Sequence, residues 1–249
     1  MIDIRLAPRL PDELRGRVVA ITGASDGIGR AVAEAAAAHG AEVILLGRNL
    51  RKLQATHAAI DKARGDIASM AQIDLEKALA GDYDRIAAAI LERYGRLDGL
   101  VHCAGLLGTL TPIDQYDVPT WCRVLHVNVT AAFALTQVLL PALRESRDAS
   151  IVYTTSSVGR TGRAYWGAYS VSKFAIEGLS QVLADELRGN TSVRVNALNP
   201  GPTRTLMRRQ AYPSEDLNTL PLPAAVVGPY ITLLGPQANG ITGQSLDCQ

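Results

Sequence analysis

The chain has 249 residues, 20% of them charged and 47% hydrophobic, with a formal net charge of +1. That length holds one large α/β domain or two small ones, and is enough for a full core. Near-neutral charge gives no general field for nucleic acid or an acidic membrane surface; no apolar run reads as long enough to span a bilayer; and the three cysteines, Cys103, Cys122 and Cys248, show neither a paired framework nor a metal-ligand spacing.

Residues 1–16 carry breaks and no sustained period, and read as an arm without the basic-then-apolar order of a signal peptide. With unpaired cysteines, a reducing cytoplasm is the expected home. Arg17 to Thr22 is a short β-branched run, expected as a strand buried on both faces of a parallel sheet. Gly23-Ala24-Ser25-Asp26-Gly27-Ile28-Gly29 follows as a turn, and Arg30 to His39 as an alanine-rich helix stopped by Gly40. Strand, glycine turn and helix together form a cradle for a pyrophosphate, whose negative charge faces the helix N-terminus.

Glu42 to Leu46 reads as the second strand, ending in Gly47-Arg48-Asn49. An acidic residue there would hold the ribose 2′-hydroxyl of NAD; an arginine suits a 2′-phosphate, so NADP is the expected cofactor, with NAD possible. A helix over Leu50 to Arg64 and a weaker strand over Ile67 to Ile73 come next. Asp74-Leu75 then either caps a turn or reaches the adenine. Gly81 to Tyr94 is the next helix and Leu97 to Cys103 the fourth strand, followed by Ala104-Gly105 and a loop over Leu106 to Pro119. One long helix is expected from Thr120 to Arg144, with Asn128 inside its apolar run and in need of hydrogen-bond partners.

Ser150 to Thr155 forms the fifth strand, with Ser156-Ser157 at the end where open α/β sheets place ligands. In the helix expected over Ala168 to Arg188, Tyr169 and Lys173 lie one turn apart. Free tyrosine titrates near ~10. A neighbouring ammonium is expected to pull the phenol toward working pH. Apolar residues cover more than one face of this helix, which points to a second subunit. Ser192 to Leu198 is the sixth strand, ending in Asn199-Pro200-Gly201-Pro202-Thr203-Arg204-Thr205. Residues 206–223 show no clear period and read as a substrate lid. Its Arg208 and Arg209 are read as solvated charges, the alternative being a greeting for an acidic substrate. Ala224 to Leu234 reads as a short helix broken by Gly228-Pro229, and Ile241 to Leu246 as a last strand. Strand and helix alternate throughout, which predicts one doubly wound, mostly parallel seven-stranded Rossmann-like domain over residues 1–249.

Taken together, Thr22-Gly23-Ala24-Ser25-Asp26-Gly27-Ile28-Gly29 and Tyr169 with Lys173 resemble the cofactor loop and YxxxK motif of the short-chain dehydrogenase/reductase family. Ser156 stands thirteen places before Tyr169, the family's spacing, and Asn128 falls at the family's catalytic asparagine. Asn199-Pro200-Gly201 with Thr205, and Asp74 and Asp98, also match family positions. The stretch from Ser156-Ser157-Val158-Gly159-Arg160 to Trp166-Gly167-Ala168 looks like a bacterial subgroup of unassigned substrate. The resemblance implies hydride transfer between a nicotinamide and a carbonyl or secondary alcohol. Tyr169 would act as acid or base, Lys173 would lower its pKa and hold the ribose, Ser156 would orient the substrate oxygen, and Asn128 would hold a relay water. It implies further that Gly23, Ser25, Asp26, Gly27, Ile28, Gly29, Arg48, Asn49, Asp74, Leu75, Ala104, Gly105, Pro200, Gly201, Thr203 and Thr205 contact the cofactor with Tyr169 and Lys173, and that the chain forms a homodimer or homotetramer.

Two departures stand out. The family's Asn-Asn-Ala-Gly is here His102-Cys103-Ala104-Gly105, which puts local sheet bonding in question, and its C-terminal Asp-Gly-Gly is Asp247-Cys248-Gln249. The competing readings are a non-catalytic NADP(H)-binding sensor or scaffold, and an epimerase or dehydratase using transient oxidation. A complete Asn-Ser-Tyr-Lys set speaks against the first, and the short substrate region against the second.

Overall fold

The structure, a computed structural model, describes residue 4 and residues 12–249. The expected arm therefore falls mostly outside the described residues. Its last part packs on the domain: the Leu14 side chain is fully buried and its N–H donates to His39 O at 3.0 Å.

Seven strands form one sheet: β1 (Val18–Thr22), β2 (Glu42–Gly47), β3 (Ala68–Gln72), β4 (Gly99–His102), β5 (Ser150–Thr154), β6 (Arg194–Asn199) and β7 (Ser245–Asp247). Their order is β3-β2-β1-β4-β5-β6-β7, and every pairing is parallel. Side chains alternate across a strand, so one run of sequence feeds two core layers. Val18 and Ala20 of β1 join Ile44 and Leu46 of β2 in one layer. Val19, Ile21, Val43 and Leu45 enter the other. The first layer is closed by α3 (Ala80–Tyr94), α5 (Ala131–Arg144) and α6 (Gly167–Leu187). The second is closed by α1 (Gly27–Ala38), α2 (Leu50–Arg64) and α8 (Gly228–Leu234). Burial on both faces is why these strands read as unbroken apolar runs rather than alternating ones.

The chain winds outward from β1 to β3, then crosses back to place β4 on the other side of β1. This reversal opens a crevice at the C-terminal ends of β1 and β4, where α/β sheets hold ligands.

Four expectations change. The helix expected over Thr120 to Arg144 is α4 (Val118–Leu125), a π-helical turn (His126–Thr130) and then α5; the π turn is closed by the Ala131 N–H donating to His126 O. By length and composition Val118–Arg144 is apolar enough to cross a membrane, contrary to the sequence reading, yet Leu135, Leu139 and Leu143 are fully buried in the core. Gly228-Pro229 starts α8 rather than breaking it, since proline suits a first helical turn. The segment after β6 opens with α7 (Leu206–Ala211), whose first turn is capped by Thr205 accepting from the Arg208 N–H at 3.1 Å.

Candidate active site

Because all strands run parallel, their C-terminal ends share one edge, and the candidate residues gather there. A cleft of about 660 Å³ runs along it, lined by every residue expected to contact the cofactor and by Ser156. A second cavity of about 640 Å³ lies outside the glycine turn, between α1 and α7, and holds none of the Asn-Ser-Tyr-Lys set.

At one end of the cleft, Asp26 caps α1, accepting from the Gly27 N–H at 2.8 Å. The turn works only with glycine at position 29: a Cβ there would lie 2.4 Å from Gly23 O. Helix and strand thus meet closely, and Gly27, Ile28 and Gly29 at the start of α1 line the cleft. A helix N-terminus of this kind favours negative charge. Asn49 caps α2, accepting from the Lys52 N–H at 3.0 Å. Arg48 is largely exposed and its Nη1 lies 3.8 Å from Glu76 Oε2. Lys52 Nζ sits 2.5 Å from Asp26 Oδ2 and holds that carboxyl below the usual carboxylate range. Arg48 and Lys52 together give this end of the cleft two cations, suited to a 2′-phosphate. Asp74 caps its own turn, accepting from the Glu76 N–H at 3.2 Å, and with Leu75 lines the cleft nearby.

At the other end, Tyr169 and Lys173 project from the same face of α6, with Lys173 Nζ 5.5 Å from the Tyr169 ring centre. Lys173 donates to Thr154 O at 2.8 Å, and the Ser156 hydroxyl lies near enough to the Tyr169 phenol to pull its pKa down. Ser156 comes this near because the following short turn, Ser157–Gly159, lies against α6. A Cβ on Gly159 would sit 2.7 Å from Lys173 Cβ.

The titration of this pair corrects the sequence expectation. With protein groups alone, burial pushes the Tyr169 phenol up to about 12, opposed by the Ser156 hydrogen bond. Burial also lowers Lys173 to about 8, against the pull of Cys103 and Glu177. Desolvation outweighs any depression of the phenol by the ammonium, so Tyr169 holds its proton at neutral pH.

Asn128 sits in the π turn, does not line the cleft, and is 3% exposed with both polar atoms of its amide hydrogen-bonded. Its Oδ1 accepts from the Leu106 N–H at 2.7 Å, while Nδ2 donates to Leu106 O and to Ser172 Oγ, each at 2.9 Å. It therefore joins the loop after β4 to α6 beside Lys173. Its neighbour across the helix, Ser172, also donates to Tyr169 O at 2.7 Å.

The two departures from the family pattern are made good by other chemistry. Cys103 Sγ reaches Thr154 Oγ1 at 3.3 Å across the β4–β5 junction, and its N–H donates to Thr22 Oγ1 at 3.1 Å. His102 stacks on Tyr153 at 4.8 Å and its Nε2 meets Thr136 Oγ1 at 2.9 Å. Burial lowers that imidazole to about 3, so it is neutral. Asp247 binds Arg160 Nη1 through both oxygens at 2.9 Å and accepts from Asn199 Nδ2 at 2.8 Å. Gln249 Nε2 donates to Pro200 O at 2.7 Å.

Arg160 is the main residue that sequence reasoning passed over. Besides Asp247 it reaches Glu177 Oε1 at 3.1 Å and Leu246 O at 2.8 Å. One guanidinium thus ties the Ser156 turn to α6, one helical turn beyond Lys173, and through Asp247 to the Asn199–Gly201 loop. Only the pairing across the chain reveals this; the sequence shows a lone arginine. Lys52 was also missed, although a lysine in the first turn of a helix opened by Arg48-Asn49 was a readable signal.

Comparison with known proteins places this geometry. The family model for short chain dehydrogenase matches residues 17–216. The uncharacterized oxidoreductase YciK of Escherichia coli (strain K12) is 46% identical over 238 residues, covering 96% of this chain and 94% of that protein. A short chain dehydrogenase from Shigella flexneri 2a, solved in complex with NADP, superposes with a TM-score of 0.94 at 45% identity, covering 96% of this chain and 100% of that one. Another from Escherichia coli CFT073, solved with NADPH, gives a TM-score of 0.94 at 46% identity, covering 97% and 100%.

Proposed function

This chain belongs to the short chain dehydrogenase family, and on that footing we propose that it is an NADP(H)-dependent oxidoreductase acting on a carbonyl or secondary alcohol. The observation that carries the reading is the meeting of Ser156, Tyr169 and Lys173 at one end of a cleft whose other end is a glycine cradle flanked by Arg48 and Lys52. Two relatives of similar length hold NADP or NADPH, which supports that cofactor here.

When bound, the nicotinamide supplies or accepts the hydride. The chain's own residues do the rest. The glycine turn and the start of α1 hold the pyrophosphate, and Arg48 with Lys52 favours the 2′-phosphate. The Asn199–Thr205 loop and Gly105 border the nicotinamide end. Ser156 donates to the substrate oxygen and fixes its direction. Tyr169, protonated at neutral pH, gives its proton to that oxygen as charge develops there. A preorganised donor at such an oxygen typically lowers a barrier by about 3 kcal/mol. Lys173 favours the phenolate that remains, and Asn128 keeps Lys173 and the loop after β4 in register.

The proposal takes residues 1–249 as one nucleotide-binding domain, with residues 206–223 as a lid over the substrate. It places the protein in the cytoplasm, as a homodimer or homotetramer. Val171, Phe174 and Val182 of α6 and Phe133 of α5 are exposed apolar side chains available to a second subunit. The test is an NADPH titration by fluorescence beside a panel of ketones and aldehydes. Tight NADPH binding with carbonyl-dependent consumption is expected. Binding without consumption across the panel would favour a sensor or scaffold instead.

A further inference from the structure

Resting on the reductase reading above, we propose that the substrate is an uncharged carbonyl compound with an apolar, ring-bearing body, and that the Arg208–Glu215 pair is what turns carboxylated analogues away. One side of the wall beside Tyr169 is apolar. Leu107, Val158 and Tyr169 form a buried cluster, with Trp166, Met207 and Ala211 packed against it. Trp166 is the centre of an aromatic group, its ring 5.7 Å from that of Tyr169 and 5.7 Å from that of Tyr212. A flat ring held against such a surface gains contact area and favourable quadrupole geometry.

The cations at this end already have partners within the chain. Lys173 donates to Thr154 O and lies beside the Tyr169 ring. Arg208, which lines the cleft from α7, points its planar fork at Glu215: Nε to Oε2 and Nη2 to Oε1, both at 2.6 Å. Its guanidinium also covers the Tyr212 ring at 3.8 Å. Arg163 donates to the Tyr212 hydroxyl at 2.6 Å. The bidentate place that a substrate carboxylate would take on Arg208 is thus filled by a carboxylate of the chain itself. A charged substrate group would lose water against Leu107, Trp166 and Met207 and find the Arg208 fork already taken. The internal pair persists through the physiological range, because Arg208 holds the Glu215 carboxyl below its ordinary value.

The experiment compares acetophenone with two carboxylated relatives, 4-acetylbenzoate and benzoylformate. Binding is read by tryptophan quenching on the NADP-loaded protein, and turnover by NADPH consumption. Acetophenone is expected to bind and turn over about tenfold better than either acid. In Glu215→Gln the guanidinium loses its anionic partner and one of its two acceptors. At least one acid should then gain about tenfold in kcat/KM while acetophenone stays within about twofold. In the double variant Glu215→Gln with Arg208→Met that gain should vanish. Equal or better use of the acids by the native protein overturns the proposal. So does a Glu215→Gln variant that improves all three or none, or failure of acetophenone to bind. Preferential binding of acetophenone without NADPH consumption supports the substrate class and overturns the reductase reading instead.

Discussion

Replacing Lys173 by methionine should make the protein more stable while ending turnover, and the size of the gain follows from the burial of the ammonium. Lys173 is 6% exposed and its amine is lowered from 10.5 to about 8, chiefly by desolvation. Holding that charge in the fold therefore costs about 3 kcal/mol relative to the unfolded chain. Methionine keeps the apolar stem and removes the charge. It also removes the hydrogen bond to Thr154 O, a loss of about 1 kcal/mol. The net expectation is a stabilisation of about 2 kcal/mol near pH 7, or roughly 4–8 °C in Tm for a chain of this size. The pH dependence is specific. Below about pH 8 the folded chain carries the buried ammonium and the penalty is complete. From about 8 to 10.5 the folded state gives up its proton before the unfolded state does, and the penalty fades. The advantage of Lys173→Met should therefore disappear as pH approaches 10. Urea denaturation of both proteins without cofactor at several pH values measures it. A variant that is less stable at pH 7, or a difference that does not change with pH, would refute the desolvation account.

Arg48→Ala should weaken NADPH binding about tenfold, one charge-assisted contact to a phosphate, and leave NADH within about twofold; fluorescence titration of both cofactors distinguishes this from a general loss. Arg160→Met should lower kcat about tenfold with NADPH affinity nearly unchanged, and Arg160→Lys should restore part of the rate. Removing the guanidinium also leaves Glu177 unopposed one turn from Lys173, so the pH profile of kcat should move to the alkaline side; a merely structural arginine would leave that profile in place. Asn128→Ala strands the Leu106 peptide and Ser172, and should cost roughly 2 kcal/mol in urea denaturation together with most of the turnover.

The parts of the fold legible in the sequence were those with strong local signals. The five inner strands from β1 to β6 other than β3 announce themselves as short, largely apolar runs, and Gly40 and Gly95 mark helix ends. The π turn at His126–Thr130 left no trace, because a single inserted residue does not disturb an apolar period spread over α4 and α5. α7 escaped because six residues are too few to show a helical period. In the site, residue types and spacings pointed to Ser156, Tyr169 and Lys173, which the fold brings together. The balance between burial and charge that sets the Tyr169 phenol could not be read, since it depends on what surrounds the pair rather than on its spacing. Arg160 was illegible for a related reason: its partners Glu177 and Asp247 lie 17 and 87 residues away.

The most direct test of the proton-transfer assignment is the rate of NADPH-dependent carbonyl reduction by Tyr169→Phe at saturating cofactor. The account predicts a fall of about 10²- to 10⁴-fold with NADPH affinity within about threefold of the native protein. Near-native turnover by that variant would contradict it, whatever the substrate.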